Sequence, residues 1–97
     1  MMHSMLGKVT CLNYDNTAVH IKFDDQDHMY WKMVTDTTIS FGREKISCQN
    51  LDDALLSISW KDNLDIPVNL VLNFETNNLI AIWTTDNVIH AVEGSFN

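Results

Sequence analysis

The spacing of the histidines argues against a locally encoded metal site. The chain has four of them, His3, His20, His28 and His90. None belongs to a His-x-x-x-His or Glu-x-x-His pair, the spacing that presents two metal ligands on one helix face. A composite site assembled from several strands is left open. We therefore expect no metal site and no cofactor from any local motif.

Motifs for nucleophilic catalysis are also missing. The sequence has no Gly-x-Ser-x-Gly elbow, no glycine-rich phosphate loop and no cysteine framed by a nearby histidine. A decarboxylase for small aromatic acids would need tyrosines, a carboxylate and a cation that orients the substrate carboxylate. The groups available are Tyr14, Tyr30, Glu44, Glu75, Glu93 and the single arginine, Arg43. Tyr30 is out of phase with its apolar neighbours, so a non-enzymatic role is favoured and enzyme activity stays open.

The two cysteines carry little information. Cys11 and Cys48 are far apart and form no Cys-x-x-Cys pair, which excludes a zinc ribbon and a thioredoxin-like redox motif. In a chain without a recognisable secretory signal, two reduced and partly buried thiols are favoured over a disulfide. The disulfide is not excluded.

Composition predicts one compact, acidic domain. A chain of 97 residues corresponds to a single domain, residues 1–97. Thirteen acidic and six basic residues give a net charge of −7, which disfavours nucleic acid and anionic membrane surfaces as partners. No apolar stretch approaches the 18 or more residues of a membrane span, and the first residues lack the apolar core of a signal peptide. The expected location is the cytoplasm.

Side-chain alternation predicts a protein made of strands. Val19, Ile21 and Phe23 share one face of a strand, and a second clean alternation runs from Val68 to Phe74. Asp-Asn pairs at 15–16 and 86–87 favour tight turns between strands. Seven to eight short antiparallel strands follow, with no crossover helix. Such a sheet can remove its edges by closing into an up-and-down, lipocalin-like β-barrel, whose interior holds side chains or one small ligand.

Two segments are ambiguous at this level. Residues 50–60 fit a helical stripe through Leu51 and Leu55, but also a strand through Ile58 and Trp60. A turn followed by a strand is preferred. Gly42 marks either a bend within one long strand or a turn between two short ones.

Several short motifs resemble one family along nearly the whole chain. They are Leu6-Gly7-Lys8-Val9, Ser57-Ile58-Ser59-Trp60-Lys61-Asp62, Trp83-Thr84-Thr85-Asp86 and Val92-Glu93-Gly94-Ser95-Phe96. In this order they are similar to the MoaF-like group of small bacterial lipocalin-like proteins. The resemblance implies an antiparallel calycin-type barrel, related in fold to lipocalins and phenolic acid decarboxylases, and implies no particular reaction. The sequence departs from the family pattern at 50–54, where relatives tend to have a Pro-Gly-like turn.

The apolar interior is the most informative feature for function. The residues predicted to point inward are Val19, Ile21, Phe23, Met29, Trp31, Met33, Ile58, Trp60, Leu70, Leu72 and Phe74. Aromatic rings and methionines are typical linings of ligand pockets, although the same side chains can fill a small barrel completely. The leading hypothesis is a binder of a small apolar or aromatic molecule. The predicted ligand-binding residues are Trp31, Met33, Trp60, Trp83 and His90.

Two alternatives belong to other functional classes. The first is an interaction module, either a homodimer or an acidic partner of a basic protein. The second is an enzyme on small aromatic acids resembling phenolic acid decarboxylase, in which Arg43 would orient the substrate. Fold analogy alone does not choose among these.

Overall fold

The described chain is an antiparallel β-structure of nine strands. The computed structural model describes residues 7–62 and 64–97, and these contain no helix. The strands are β1 (Val9–Tyr14), β2 (Thr17–Phe23), β3 (His28–Val34), β4 (Ile39–Lys45), β5 (Ser47–Asn50), β6 (Leu55–Lys61), β7 (Pro67–Asn73), β8 (Asn78–Thr85) and β9 (Val88–Phe96). Within the described residues, no helix is long and apolar enough to cross a membrane.

All nine strands form one sheet that curls into a nearly closed barrel. Their order is β4-β3-β2-β1-β9-β8-β7-β6-β5, and every neighbouring pair is antiparallel. The marginal strands β4 and β5 are consecutive in the chain, and β4 contacts β6 across the seam. The wall is therefore closed by hydrogen-bonded ladders everywhere except where β4 turns into β5.

Two of the hairpins are built on the Asp-Asn pairs. Asp15 and Asn16 have φ of 51° and 56°, and Asp86 and Asn87 have φ of 50° and 63°. Positive φ at both central residues is the geometry of the two-residue hairpin turn whose twist matches the strands it joins. Asp and Asn tolerate it because their short side chains bond locally. The predicted turns at these positions are confirmed.

One half of the interior is fully packed. Phe23, Met29, Leu56, Leu72 and Leu79 are each at most 2% exposed. They come from strand ends next to the turns at 24–27, 51–54 and 74–77, and cross-strand pairing sets Phe23 beside Met29 and Leu72 beside Leu56 and Leu79. Burying a side chain of this size contributes about 1.5–3 kcal/mol. We call this half the packed end.

Nine strands exceed the predicted seven to eight because the chain turns a corner at Ile46. Ile46 is 4% exposed, and its N–H donates to the carbonyl of Asp27 at 2.7 Å. Burying this side chain ends β4 and starts β5 as a separate strand. Gly42, by contrast, lies within an unbroken strand. The pairing with β3 is regular on both sides of Gly42, so the turn between two short strands is excluded there and the break falls at Ile46 instead.

The ambiguous segment at 50–60 is a turn and a strand, as preferred from the sequence. The Asp52 carboxylate oxygen Oδ1 accepts the N–H groups of Ala54 at 2.8 Å and Leu55 at 3.0 Å. These bonds hold a tight turn just before β6, where a side-chain acceptor replaces the missing ladder partners.

The prediction that Phe74 points inward along β7 is wrong. Strand β7 ends at Asn73, whose Oδ1 accepts the N–H of Glu75 at 3.0 Å and starts a turn. Phe74 is 38% exposed and meets the ring of Phe96 edge-on at 5.3 Å. Side chains alternate between the two faces only as long as the strand is paired, so the alternation no longer predicts the direction of Phe74, one residue past the end of β7. Tyr30, at 49% exposure, faces outward as predicted.

Candidate ligand-binding site

The other half of the interior holds a cavity of about 360 Å³. It opens at the end of the barrel that carries the Asp15-Asn16 turn and the loop after β6, and we call this end the mouth. Met29 is shared with the packed end, and the side chains that line the cavity are Leu12, Tyr14, Asp15, Thr17, Val19, Ile21, Met29, Trp31, Met33, Glu44, Trp60, Asp62, Val68, Leu70, Ala81 and Trp83. The wall is thus mainly apolar, with its polar groups few and mostly near the mouth.

Four of the five predicted ligand-binding residues lie together in this cavity. Trp31, Met33, Trp60 and Trp83 all line it, although they come from three different strands. Each is only partly buried and packs on the fully buried core beneath. Their position between core and solvent leaves ring surface available to a ligand.

His90 does not line the cavity but lies beside Trp83 on the inward face of the sheet, as its cross-strand partner on β9. Its ring stacks on the indole of Trp83, with centroids 5.4 Å apart and planes 14° from parallel. Its Nε2 is 2.9 Å from the Thr85 hydroxyl, with which it shares a hydrogen bond. These two contacts fix the His90 ring against Trp83. His90 therefore supports a lining residue from the next strand.

The indole of Trp31 packs closely against β4 because Gly42 has no side chain there. The two residues are cross-strand partners, and a Cβ atom built at Gly42 would lie 3.0 Å from the indole Nε1. The same Nε1 donates a hydrogen bond to Glu44 Oε2 at 2.9 Å. A glycine and a carboxylate two residues apart on the inward face of β4 therefore set the place and direction of this indole.

Tyr14 and Glu44 are lining residues that the sequence hypothesis did not assign to the ligand site. Tyr14 ends β1 beside the mouth, and burial, followed by the charge of Asp15, raises the pKa of its hydroxyl. Its phenol is therefore a neutral hydrogen-bonding group over a wide pH range. The sequence suggests Glu44 only as a candidate catalytic group. Glu44 is two residues from Gly42, so both residues lie on the same face of β4. Gly42 pairs with Trp31 of β3, and that face is therefore the inward one.

The mouth carries two further carboxylates. Asp15 follows Tyr14 in the hairpin turn, and Asp62 follows β6. Asp62 Oδ1 accepts the N–H groups of Leu64 at 2.9 Å and Ile66 at 3.0 Å. These bonds hold the Asp62 carboxylate to the backbone of Leu64 and Ile66 at the rim of the cavity.

Arg43 lies on the outer wall, away from the cavity. Its Nη2 and Nε donate to Asp24 Oδ2 at 2.8 Å and 3.1 Å, and its guanidinium carbon is 5.5 Å from the centre of the Tyr30 ring. Arg43 thus has an acidic partner outside the barrel. The decarboxylase version in which Arg43 orients a substrate carboxylate inside the barrel has no support from this geometry.

The thiols and the acidic groups form no metal centre in the part of the chain that is described. No group of three His, Cys, Asp or Glu side chains converges within residues 7–62 and 64–97. Cys11 and Cys48 are free, so neither forms a disulfide. Burial raises the pKa of the Cys48 thiol to about 11, with the charge of Asp27 as a smaller cause. Cys48 is therefore a protonated, poorly nucleophilic thiol at neutral pH.

The sequence matches the family model described as MoaF-like over residues 6–97, which is almost its entire length. The chain belongs to the MoaF-like family. This confirms the family resemblance read from the short motifs. No curated protein matches the sequence.

A solved structure shares the fold of this MoaF-like chain. It is a crystal structure from Burkholderia vietnamiensis described as a "putative beta-lactamase", with a TM-score of 0.85 and 19% identity over 96% of this chain and 93% of that chain. At this identity the similarity concerns the fold alone. The MoaF-like chain also has no Ser-x-x-Lys sequence, the nucleophile motif of class A β-lactamases.

Proposed function

We propose that this MoaF-like protein binds a small, mainly apolar or aromatic molecule in the barrel cavity. The observation that carries the proposal is the convergence of Trp31, Trp60 and Trp83 on one cavity of about 360 Å³. That volume falls within the roughly 300–1,000 Å³ typical of small-molecule sites, which are lined by aromatic and apolar groups with few polar ones. No covalent step is part of the proposal.

The division of the interior into two halves supports this function. The packed end already buries five large apolar side chains almost completely, so the barrel has a hydrophobic core without the mouth half. Indole surface left facing a cavity forgoes dispersion contacts and remains hydrated. A ligand that covers this surface removes both penalties. A ligand of about ten non-hydrogen atoms at about −0.5 kcal/mol per atom would bind with a Kd of about 0.2 mM.

The neutral fluorophore N-phenyl-1-naphthylamine tests the proposal directly. Its emission rises in apolar surroundings, and the tryptophans of the cavity would transfer excitation energy to it. We expect saturable binding to the wild-type chain. Ala81, which is 2% exposed and lines the cavity, gives the blocking variant Ala81→Phe. The added ring occupies ligand volume, so binding should weaken at least about tenfold.

Ala91→Phe is the matched control. Ala91 is exposed on β9, where it pairs with the outward-facing Ile82. The same side-chain change there leaves the cavity intact and should leave the affinity unchanged. Circular dichroism and urea unfolding check that both variants fold, since overpacking at Ala81 costs about 1–3 kcal/mol. Absence of saturable binding by the wild type, or equal weakening by both variants, would rule out the cavity as the binding site.

A further inference from the structure

The cavity has a one-sided charge. Three of its lining residues are acidic, Glu44 near the indoles and Asp15 and Asp62 at the mouth. None of its described lining residues is Lys or Arg. The charged groups that a ligand meets on the way in are therefore all negative, in a protein whose net charge is itself −7.

The cations of the chain face elsewhere. Lys22, Lys32 and Arg43 lie on the outer wall of β2, β3 and β4, where they surround a shallow surface depression distinct from the cavity. Lys61 is exposed and approaches Asp65 at 3.9 Å, also outside. None of the described Lys and Arg side chains lines the cavity, so an anionic ligand inside it would meet carboxylates without a cationic lining residue.

The lining also offers the aromatic surface that cations prefer. A cation over the face of a tryptophan is attracted by the negative face of the ring system, most strongly when both are shielded from water. Trp31 is held by Glu44 through the 2.9 Å bond from its indole N–H. This bond uses the positive edge of the indole and fixes a carboxylate beside the ring. Indole face and carboxylate then act on a bound cation in the same direction.

We propose that the cavity binds an organic cation, a quaternary ammonium or protonated amine group on a compact apolar body. This inference rests on the proposed binding function and adds the charge of the ligand. The cationic head would lie among the indoles with Glu44 as its counter-charge, and the acidic mouth would favour its entry. Apolar contact alone would not distinguish such a ligand from a neutral one of the same shape.

Three probes of one shape separate charge from shape. Choline, 3,3-dimethyl-1-butanol and 3,3-dimethylbutanoate share a branched head of similar size and differ in charge. Each is titrated against the bound naphthylamine fluorophore, and its displacement gives an apparent Kd. We expect choline to bind at least about tenfold tighter than the neutral alcohol, and the carboxylate to bind weakest. Added salt should weaken choline binding and leave the alcohol unchanged.

Glu44→Gln removes the charge while keeping an oxygen that accepts the indole N–H. It should weaken choline binding about three- to tenfold and leave the alcohol unchanged. Asp15→Asn is a second variant, since asparagine also tolerates the left-handed backbone found there, with φ of 51°. The matched control is Glu93→Gln, the same change at an exposed position on β9. It should have no effect on either probe.

The outcomes distinguish this inference from the function on which it rests. If the fluorophore binds in the cavity but choline and the alcohol are equal, or the carboxylate binds tightest, the charge preference is wrong and the binding function stands. Equal weakening by Glu44→Gln and Glu93→Gln would assign the preference to net charge and overturn the role of the cavity. If the fluorophore does not bind at all, the proposed function and this inference fall together.

Discussion

Replacing Gly94 by alanine tests how tightly β1 is clamped to β9. Gly94 pairs with Tyr14, and the described β1–β9 ladder has only three such pairs. A Cβ at Gly94 would lie 2.7 Å from the Tyr14 Cβ and 3.0 Å from the carbonyl carbon of Asn13, and would overlap its oxygen. Two of these three neighbours are backbone atoms. The clash therefore cannot be relieved by rotating a side chain.

The expected loss of stability follows from that geometry. Ordinary contact for a Cβ begins at 3.4 Å, so β1 must retreat by more than half an ångström from β9. Overpacking of this kind costs about 1–3 kcal/mol, and weakened ladder bonds add about 1 kcal/mol each. A total of about 3 kcal/mol is a large share of the 5–15 kcal/mol typical of domains. For a chain of this size it corresponds to a Tm lower by about 12–24 °C.

Urea unfolding followed by tryptophan emission gives the free energy of unfolding, and thermal unfolding followed by circular dichroism gives the Tm. Ser95→Ala is the control, because Ser95 is exposed beside Gly94 and the change removes only a hydroxyl. It should shift the free energy by less than about 0.5 kcal/mol. A Gly94→Ala loss below about 1 kcal/mol with an unchanged urea slope would refute the tight β1–β9 contact.

Two further predictions concern β4 and β5. Gly42→Ala places a Cβ 3.0 Å from the Trp31 indole, so the ring must shift and its hydrogen bond to Glu44 must lengthen. We expect a changed tryptophan emission spectrum and a loss of about 1–2 kcal/mol in the free energy of unfolding. Ser40→Ala, on the same inward face, should leave the emission spectrum unchanged. Burial raises the pKa of Cys48 to about 11, so it should react with iodoacetamide at pH 8 about a hundredfold slower than a thiol whose pKa is 9.0. Mass spectrometry of the Cys11→Ser variant, in which Cys48 is the remaining thiol, measures this rate. Because the folded state holds this proton more tightly, its stabilising contribution is complete below pH 9 and is lost as the pH rises towards about 11. A rate equal to that of an unfolded sample at pH 8 would contradict the buried setting.

Strands with a regular apolar face could be predicted from the sequence. Val19, Ile21 and Phe23 in β2 are all buried, as are Leu70 and Leu72 in β7. A side-chain period of two allows only one face to point to the core, so the pattern alone assigns direction and strand. The hairpin turns at 15–16 and 86–87 were predictable for a similar reason, because few residue types accept positive φ.

The inward face of strand β4 could not be predicted in this way, because its large apolar residues point outward and its inward face carries a glycine and a glutamate. Ile39 and Phe41 are 65% and 79% exposed, whereas Gly42 and Glu44 face inward. The reason is across the ladder, where the Trp31 side chain already occupies the volume that β4 would otherwise fill. Alternation within one strand carries no information about a neighbour that is distant in sequence. Glu44 was therefore not placed at the cavity.

Whether the barrel held a cavity or a filled core was likewise undecidable from the sequence. All the side chains predicted to point inward do so except Phe74, but their distribution between the two ends depends on strand register. Pairing stacks Phe23 on Met29 at the packed end and leaves Trp60 and Trp83 near the mouth. The summed volume of the side chains is the same however they are divided between the packed end and the mouth. The space appears only when the register is known.

The corner at Ile46 marks a line along the described wall that no ladder of backbone hydrogen bonds closes. Every other junction in the wall is tied by a ladder of backbone hydrogen bonds, whereas β4 and β5 are joined by the covalent chain and by packing across the seam. A displacement of these two margins would break no ladder bond, but it would disturb the buried Ile46, which is 4% exposed, and its 2.7 Å bond to the carbonyl of Asp27. Glu44 lies on β4, which borders the seam, and Trp31 lies on the neighbouring strand β3. Under the proposed function, the indole of Trp31 and the carboxylate of Glu44 would therefore lie on the part of the wall that no ladder closes.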